Sequence, residues 1–586
     1  MEFSSSNHCF RLRDCPDRST DVAVVGGGMA GVWSAYQLAK AGFRTTMVAC
    51  GDDERGGLQG ASRRAAGAFN LSLVNGEKME AMLQEIGCGQ THPSVARTLS
   101  LHLSSALREL GALMELKPVK IGMALASGNG EQFLEQIRRR FGELGGEMID
   151  GWVTRLAADA GSCRGLQYEC REGAGKLRCK AMVLAPGGYA GLFANAVKTH
   201  CCGNVLGYYL QCGGIATNLE FLFKHGYGNM EANELTPTEE LPGAEIYDAR
   251  SQRVEWLEQM LFNRQGTNSH LQAVQFWLRN PEAEFYVDLS HRPLYLKLQE
   301  LNGILENGEK AGHHFEAEKT LALAGVADLF PKKSRMEVFD RISGWIASRR
   351  VIDYAMFEEL KHGFKPAESL KFRVQPLTYF SMGGMGHLDF STNLKNVFVT
   401  GEAMHDFGAN RVGGLPWSLY LSSAYVIREQ MGGILGENGD DGGDFEMTSG
   451  RSHYDPGLLG KIQQRLHDSQ ERELTASRAM ESIDWFRRTR GDLLRNGGRL
   501  DDGVAWLIVA EAIMQCSLCR TESRGFFFRH DFQNSDERLE RLFSCAWYDR
   551  AADEVAAELL PWDRIEPRLR HNQGENKPEL ACATAI

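Results

Sequence analysis

The chain has 586 residues, 43% hydrophobic and 24% charged, ordinary values for a globular protein and enough for two to four domains at about 150 residues each. Its formal net charge of -11, with no basic run, argues against a nucleic-acid partner. No apolar stretch is read as reaching the ~18 residues of a membrane span, and residues 1–20 carry Arg11, Arg13 and Arg18 without an apolar h-region, so no secretory signal is expected. Fourteen scattered cysteines suit a reducing cytoplasm. Cys516 and Cys519 form a single CxxC with no second pair in range, so no metal is expected and the two are read as thiols on one helix face.

In chain order, the first strong signal is DVAVVGGGMAG, residues 21–31. The apolar run Val22 to Val25 predicts a buried parallel strand, and Gly26, Gly27, Gly28 and Gly31 fill a GxGxxG frame. A helix is predicted from Met29, with Gly42 as its stop. Such glycines allow a tight turn, let backbone N–H groups approach a pyrophosphate and bring helix close to strand. Residues 44–50 read as a second strand, but the acid expected at its end falls on Ala49 or Cys50. The small-residue run 56–70, GGLQGASRRAAGAFN, suits backbone passing close to a flat ligand. Residues 92–116 and 131–144 read as helices. Short strands near 147–156, 165–170 and 176–180 read as a meander, with a further buried strand at 181–185 ending in Pro186-Gly187-Gly188.

From about 202 to 365, helical patterns rich in charges and aromatics suggest an inserted domain. Gly-punctuated strands return over 372–414. The expected division is an N-terminal tail (1–20), a discontinuous nucleotide-binding domain (21–205 and 366–435), an inserted domain (206–365), a linker (436–450), a mostly helical C-terminal domain (451–568) and a tail (569–586).

This order of motifs resembles the flavoprotein family of succinate dehydrogenase, fumarate reductase and L-aspartate oxidase. The likeness runs from about Asp21 to Phe532. DVAVVGGGMAG is similar to the family's FAD pyrophosphate turn, AAGAFN (with Ala66 and Gly67) to its AQGGI-type segment and VLAPGG to its ATGG turn. ATNLEF resembles the start of a capping domain, YVDLSH an LDLTH-type strand, and SMGGMGHLD, VFVTGEA and FGANRVGG the family's most diagnostic block. TESRGFFFRHDF resembles its ESRGAHYRxDYP segment.

The resemblance implies an α/β fold, with a discontinuous Rossmann-like FAD-binding domain, an inserted α+β capping domain and a C-terminal helical domain. It assigns the cofactor to Gly26, Gly28, Met29, Ala30, Gly31, Ala66, Gly67, Gly187, Gly401, Glu402, Ser418 and Leu419. Ser418 and Leu419 match a helix N-terminus facing the flavin's pyrimidine edge, where amide donors stabilise the anionic reduced ring. Arg411 matches the arginine that grips a substrate carboxylate, a task suited to a planar guanidinium fork. His225 falls where the family has a substrate-binding histidine.

Four departures accompany the likeness. The histidine that tethers FAD in succinate dehydrogenases falls near Ala61, so FAD is expected to be non-covalent. The family's HYTMGG becomes Tyr379-Phe380-Ser381-Met382-Gly383-Gly384, with Tyr379 in place of a histidine. The PRD arginine that shuttles a proton has no counterpart, with Arg264 and His270 the nearest substitutes. After Glu220, LFKHGYGN introduces Lys224 and Tyr227. The implied activity is an FAD-dependent oxidation of a small carboxylate-bearing substrate, an amino acid among the candidates, by hydride transfer to flavin N5, with Arg411, Tyr379 and His225 on the substrate and dioxygen or another acceptor reoxidising the flavin. The alternatives are an L-aspartate oxidase, a fumarate reductase or succinate dehydrogenase, a hydroxylating flavoprotein, and a non-catalytic electron-transfer subunit with an iron–sulfur or other redox partner.

Overall fold

Val22 to Val25 carry no polar side chain and are at most 3% exposed, which requires cover on both faces and so a central parallel strand. In the computed structural model, strand Arg18–Val25 lies between parallel strands Thr45–Ala49 and Gly173–Leu184, with Val22 opposite both Thr45 and Ala181. Strand Glu147–Ala158 extends the sheet beyond Thr45–Ala49, and Val397–Val399, from far downstream, extends it beyond Gly173–Leu184. Strands are thus added in opposite directions on the two sides of Arg18–Val25, and the crevice at the strands' carboxyl ends is a topological switch point. The structure describes residues 15, 17–50, 68–70, 79–114, 116–120, 123–126, 130–197, 201–230, 234–235, 245–262, 269–288, 371–411, 414–436, 443–447, 455–495 and 502–570.

The expected strands 176–180 and 181–185 are one strand, Gly173–Leu184. Its first half pairs antiparallel with Cys163–Cys170 and its second half parallel with Arg18–Val25. The change from polar to apolar residues near 180 marks a change of environment, not a break; no Gly or Pro lies between Lys176 and Leu184 to interrupt the chain. The strand Arg18–Val25 also begins inside the segment expected to be a tail.

Helix Met29–Lys40 starts where expected and ends just before Gly42, which takes φ +91°. Its Trp33 is fully buried, and the indole N–H donates to the Leu421 carbonyl at 3.0 Å in helix Leu415–Gly436. At roughly 25 cal/mol per Å², a tryptophan burying about 200 Å² contributes about 5 kcal/mol. Helices Ser94–Leu113 and Gly130–Glu143 match the expected helical stretches to within two or three residues at each end.

Among the described residues of the middle of the chain, helices Asn204–Gln211, Glu255–Phe262 and Ser269–Arg279 alternate with strands. An antiparallel sheet runs in the order Glu234–Leu235, Leu222–Asn229, Lys371–Ser381, Phe285–Asp288, Glu245–Asp248. The C-terminal region is helical over Pro456–Leu466, Ala476–Arg495 and Asp502–Cys519, but then forms a hairpin, Leu542–Asp549 with Glu554–Pro561. The hairpin pairs with Ile215–Thr217, so the expectation of a mostly helical C-terminal domain is corrected there. Strand Leu542–Asp549 takes its second partner, Ile215–Thr217, from the middle of the chain, and the local sequence carries no trace of it.

One further correction concerns the membrane. Helix Asp502–Cys519 has 18 residues with mean hydropathy 1.4, long and apolar enough to cross a bilayer. Here it is 83% buried inside the fold, and its Glu511 accepts from both Arg487 and Arg490. Apolarity all round marks a helix surrounded by protein as readily as one surrounded by lipid.

Candidate functional site

At the switch point, the Gly-rich turn is a backbone cradle. Gly26 takes φ +106°, and a Cβ there would lie 2.1 Å from the Ala185 carbonyl oxygen. A Cβ on Gly31 would lie 2.0 Å from the Gly26 carbonyl oxygen. The turn and the helix it opens therefore touch through backbone alone. Gly28 caps helix Met29–Lys40 and no side chain caps it, which leaves the helix N-terminus and its partial positive charge turned to the crevice. Arg138 fixes the turn from outside, its guanidinium donating to the Gly27 carbonyl at 2.8 Å.

Three more segments reach the same crevice. Strand Gly173–Leu184 ends in Ala185-Pro186-Gly187, with Gly187 at φ +86°. A Cβ on Gly188 would lie 1.8 Å from Ser381 Oγ and 2.7 Å from Glu402 Oε1. Strand Val397–Val399 ends in Gly401, whose Cβ position lies 2.9 Å from the Ala30 Cβ. Next to it, buried Glu402 accepts from the Ser381 N–H at 3.0 Å and the Ser381 hydroxyl at 3.2 Å. Ser418 and Leu419 are fully buried in the first turns of helix Leu415–Gly436. The structure thus brings Gly26, Gly28, Met29, Ala30, Gly31, Gly187, Gly401 and Glu402 around one crevice. Ala66 and Gly67 lie outside the described residues.

The substrate-side residues sit on the antiparallel sheet. Between strands Leu222–Asn229 and Lys371–Ser381, Phe223 pairs with Phe380 but Lys224 pairs with Thr378, so Tyr379 is the extra residue of a bulge. Bulges re-aim side chains, and this one turns Tyr379 out of the regular alternation. A second shift follows between His225 and Gly228, near Pro376, which has no N–H to donate. The carbonyls left over find side chains: Asn195 donates to the Pro376 oxygen at 3.1 Å and Trp277 to the Gly226 oxygen at 3.2 Å. His225 lies between the two irregularities, 1% exposed.

Arg411 projects into this corner. Its guanidinium carbon lies 4.4 Å from the Phe380 ring centre, 4.5 Å from that of Phe223 and 5.8 Å from that of Tyr379. Phe526, from the FFF run, packs edge-on against Phe223 at 4.8 Å. The Nε of Arg411 is buried without a hydrogen-bond partner among the described residues. Asp406, fully buried nearby, accepts from the Phe407 N–H at 2.5 Å and from the Tyr420 hydroxyl at 3.2 Å. Burial holds its carboxyl well above the usual range, against the opposing pull of the Phe407 N–H, Arg411 and Tyr420.

Arg411 and Tyr379 are therefore brought together as the sequence predicts. His225 shares the strand of Phe223, two residues along. Arg264 and the side chains of His270 and Tyr227 lie outside the described residues. Phe223, Phe380, Phe526 and Asp406 escaped sequence reasoning; the replacement of HYT by YFS and the unusual FFF were their only signals. Lys224, a new polar candidate from the sequence, is buried on another contact, 3.4 Å from Glu471, whose other oxygen meets His467 at 2.9 Å.

Two family descriptions match the chain: FAD dependent oxidoreductase over residues 21–111 and fumarate reductase flavoprotein C-term over residues 504–571. A curated relative, the L-aspartate oxidase of Streptomyces coelicolor, is 27% identical over 243 residues. That match takes in 35% of this chain and 40% of the relative, less than half of either. Among solved structures, E. coli quinol fumarate reductase FrdA shares the fold at TM-score 0.66 and 15% identity, over 93% of this chain and 97% of that one. Mycobacterium smegmatis Sdh1 follows at 0.64 and 16%, over 93% and 95%. The adenylylsulfate reductase of Archaeoglobus fulgidus, at 0.62 and 16%, covers 96% and 99%. The glycine cradle at its amino end matches the FAD dependent oxidoreductase description, the segment at its carboxyl end matches the fumarate reductase flavoprotein C-term description, and the fold between them is shared with fumarate reductase and succinate dehydrogenase flavoproteins.

Proposed function

We propose that this protein is an FAD-dependent oxidoreductase that oxidises a small carboxylate-bearing compound, with an amino acid among the candidates. The observation that carries the reading is the pairing of a glycine backbone cradle with Arg411, whose buried Nε has no hydrogen-bond partner among the described residues. The residues present fit FAD: Gly26, Gly31 and Gly188 stand where any Cβ would collide, and the helix end behind them is uncapped. The pyrophosphate would lie against the amides of residues 28–31, and Glu402 would serve the ribityl and ribose hydroxyls. Ser418 and Leu419 would serve the flavin's pyrimidine edge. Bound there without a covalent link, FAD supplies two-electron redox chemistry.

The chain's own residues do the rest. Arg411 binds the substrate carboxylate through its in-plane donors and orients the molecule. Tyr379, aimed by its bulge, supplies a neutral hydrogen-bond donor at the same corner. His225, two residues along the strand from Phe223, would relay a proton. Dioxygen or a separate redox partner would take the electrons.

The test is anaerobic stopped-flow absorbance of the purified protein against a panel of amino acids and dicarboxylates. Loss of the visible flavin band with at least one carboxylate substrate is expected. A protein that purifies colourless and stays so with added FAD would end the reading. Acid precipitation should release the colour into the supernatant, and colour retained in the pellet would refute the non-covalent link.

A further inference from the structure

The immediate surroundings of Arg411 say what kind of acid it receives. Phe223 and Phe380 flank the guanidinium at 4.5 and 4.4 Å, and Phe526 backs Phe223. These three rings are 5, 5 and 3% exposed, so they form a closed wall. Arg411 and Tyr379 alone of the five are partly open. With the Phe223 and Phe380 ring centres within 4.5 Å of its carbon, the guanidinium keeps the N–H donors in its plane for a ligand. A carboxylate accepted in that plane sets the next atoms of its molecule against the Tyr379 ring, 5.8 Å from the cation. That neighbour has a neutral, apolar body and cannot compensate a second negative charge, whereas it packs well on a planar apolar group.

We infer that the corner formed by Arg411, Tyr379, Phe223, Phe380 and Phe526 selects monocarboxylates with a planar apolar body, such as aryl acids or aromatic amino acids, over short dicarboxylates. This rests on the reading of Arg411 as the carboxylate anchor and narrows it. Among the described residues at this corner, a dicarboxylate would strip water from its second carboxylate against the rings of Phe223, Phe380 and Tyr379, which carry no charge to offset the loss. An aryl acid loses no charge solvation at that end and gains ring contact.

The experiment uses the FAD-loaded protein, with phenylacetate and succinate as probes, binding read by the flavin difference spectrum and by calorimetry. Phenylacetate should bind at least tenfold more tightly than succinate. Tyr379→Ser should weaken phenylacetate binding at least tenfold more than it weakens acetate binding. Succinate binding as tightly as phenylacetate, or Tyr379→Ser weakening acetate and phenylacetate equally, overturns the inference, and the wild-type comparison decides even where a variant fails to fold. If phenylacetate is preferred yet no amino acid bleaches the flavin, the oxidase reading fails and the selectivity stands. If acidic amino acids bleach the flavin fastest and succinate is preferred, the selectivity fails and the oxidase reading stands. Binding of neither acid removes both.

Discussion

Arg411 and Gly26 carry the site in opposite ways, one by what its side chain offers and the other by having none. For Arg411, substitution by Lys keeps the charge but loses the planar fork, and a charge-assisted hydrogen bond contributes about 1.5–3 kcal/mol. Arg411→Lys should therefore raise the KM for a carboxylate substrate roughly 10- to 100-fold while the protein keeps its yellow colour. Loss of colour in that variant would place Arg411 in the cofactor's fold and not at the substrate. For Gly26, a methyl group would meet the Ala185 carbonyl at 2.1 Å on a backbone with φ +106°. Gly26→Ala should purify with less than a tenth of the wild-type ratio of 450 nm to 280 nm absorbance; full flavin occupancy would show that the turn is not the cradle. At this scale the sequence was legible where one residue type has one use. The glycines of DVAVVGGGMAG announced themselves, and so did the arginine of GANR. Phe223, Phe380 and Phe526 did not, because a phenylalanine reads as core until its neighbour is known to be a cation.

Elements were legible where their period is local. Strand Arg18–Val25, helix Met29–Lys40 and strand Thr45–Ala49 each follow from a run of a dozen residues or fewer. Gly173–Leu184 was divided in two because its burial changes from alternating to continuous halfway along, and only its partners show it to be one strand. The least visible element-level feature is a buried histidine stack that joins the loop before helix Ser94–Leu113 to the loops around strand Val397–Val399. His92 and His387 stack at 3.9 Å, each ring nitrogen reaches a backbone or hydroxyl partner, and His405 meets the Gln90 carbonyl at 2.9 Å and Asn218 at 3.0 Å. Burial pushes His387 down to about 4 and His405 down to about 3, and it holds His92 well below the ordinary 6.5. In the unfolded chain these imidazoles bind protons below about 6.5, and in the fold they do not until far lower pH, so the unfolded state binds more protons throughout that interval. Stability is therefore full above pH 6.5 and falls as pH drops toward 4. His387 alone accounts for roughly 3 kcal/mol of that loss at about 1.4 kcal/mol per unit. A thermal midpoint that falls steeply between pH 6.5 and 4.5, and less steeply in His387→Gln, is the expected result; a flat profile would mean the stack opens to water.

At the scale of the whole molecule, the C-terminal segment TESRG reads as a family signature, but its physical task lies in contacts the sequence cannot display. Arg520, fully buried, donates to Glu220 at 2.7 Å, to Glu522 at 3.0 Å, to Gln90 at 3.3 Å and to the Leu542 carbonyl at 2.9 Å. Arg524 closes a fork on Glu522 at 2.8 Å from both Nε and Nη2, and reaches the Cys88 carbonyl at 3.1 Å. The second oxygen of Glu220 is taken by the Ser544 hydroxyl at 2.6 Å. Five remote stretches of chain, near residues 90, 220, 406, 522 and 544, thus meet at one polar knot; Asn218 next to Glu220 contacts His405 and brings in the histidine stack. Two arginines face two glutamates, so the buried charge is balanced. Glu522→Gln leaves two guanidinium groups with one carboxylate, and breaking a buried pair costs about 3–5 kcal/mol. That variant should show a thermal midpoint several degrees lower and weaker flavin retention, because the knot holds the C-terminal segment against the loops that line the crevice. Replacing both members of one pair removes the unpaired charge as well as the bond, so Arg520→Met combined with Glu220→Met should lose less than Arg520→Met or Glu220→Met alone. A double variant worse than the sum of its single changes would instead show that Arg520 is needed for its bonds to Gln90 and Leu542, and that the knot works through neutral acceptors more than through charge.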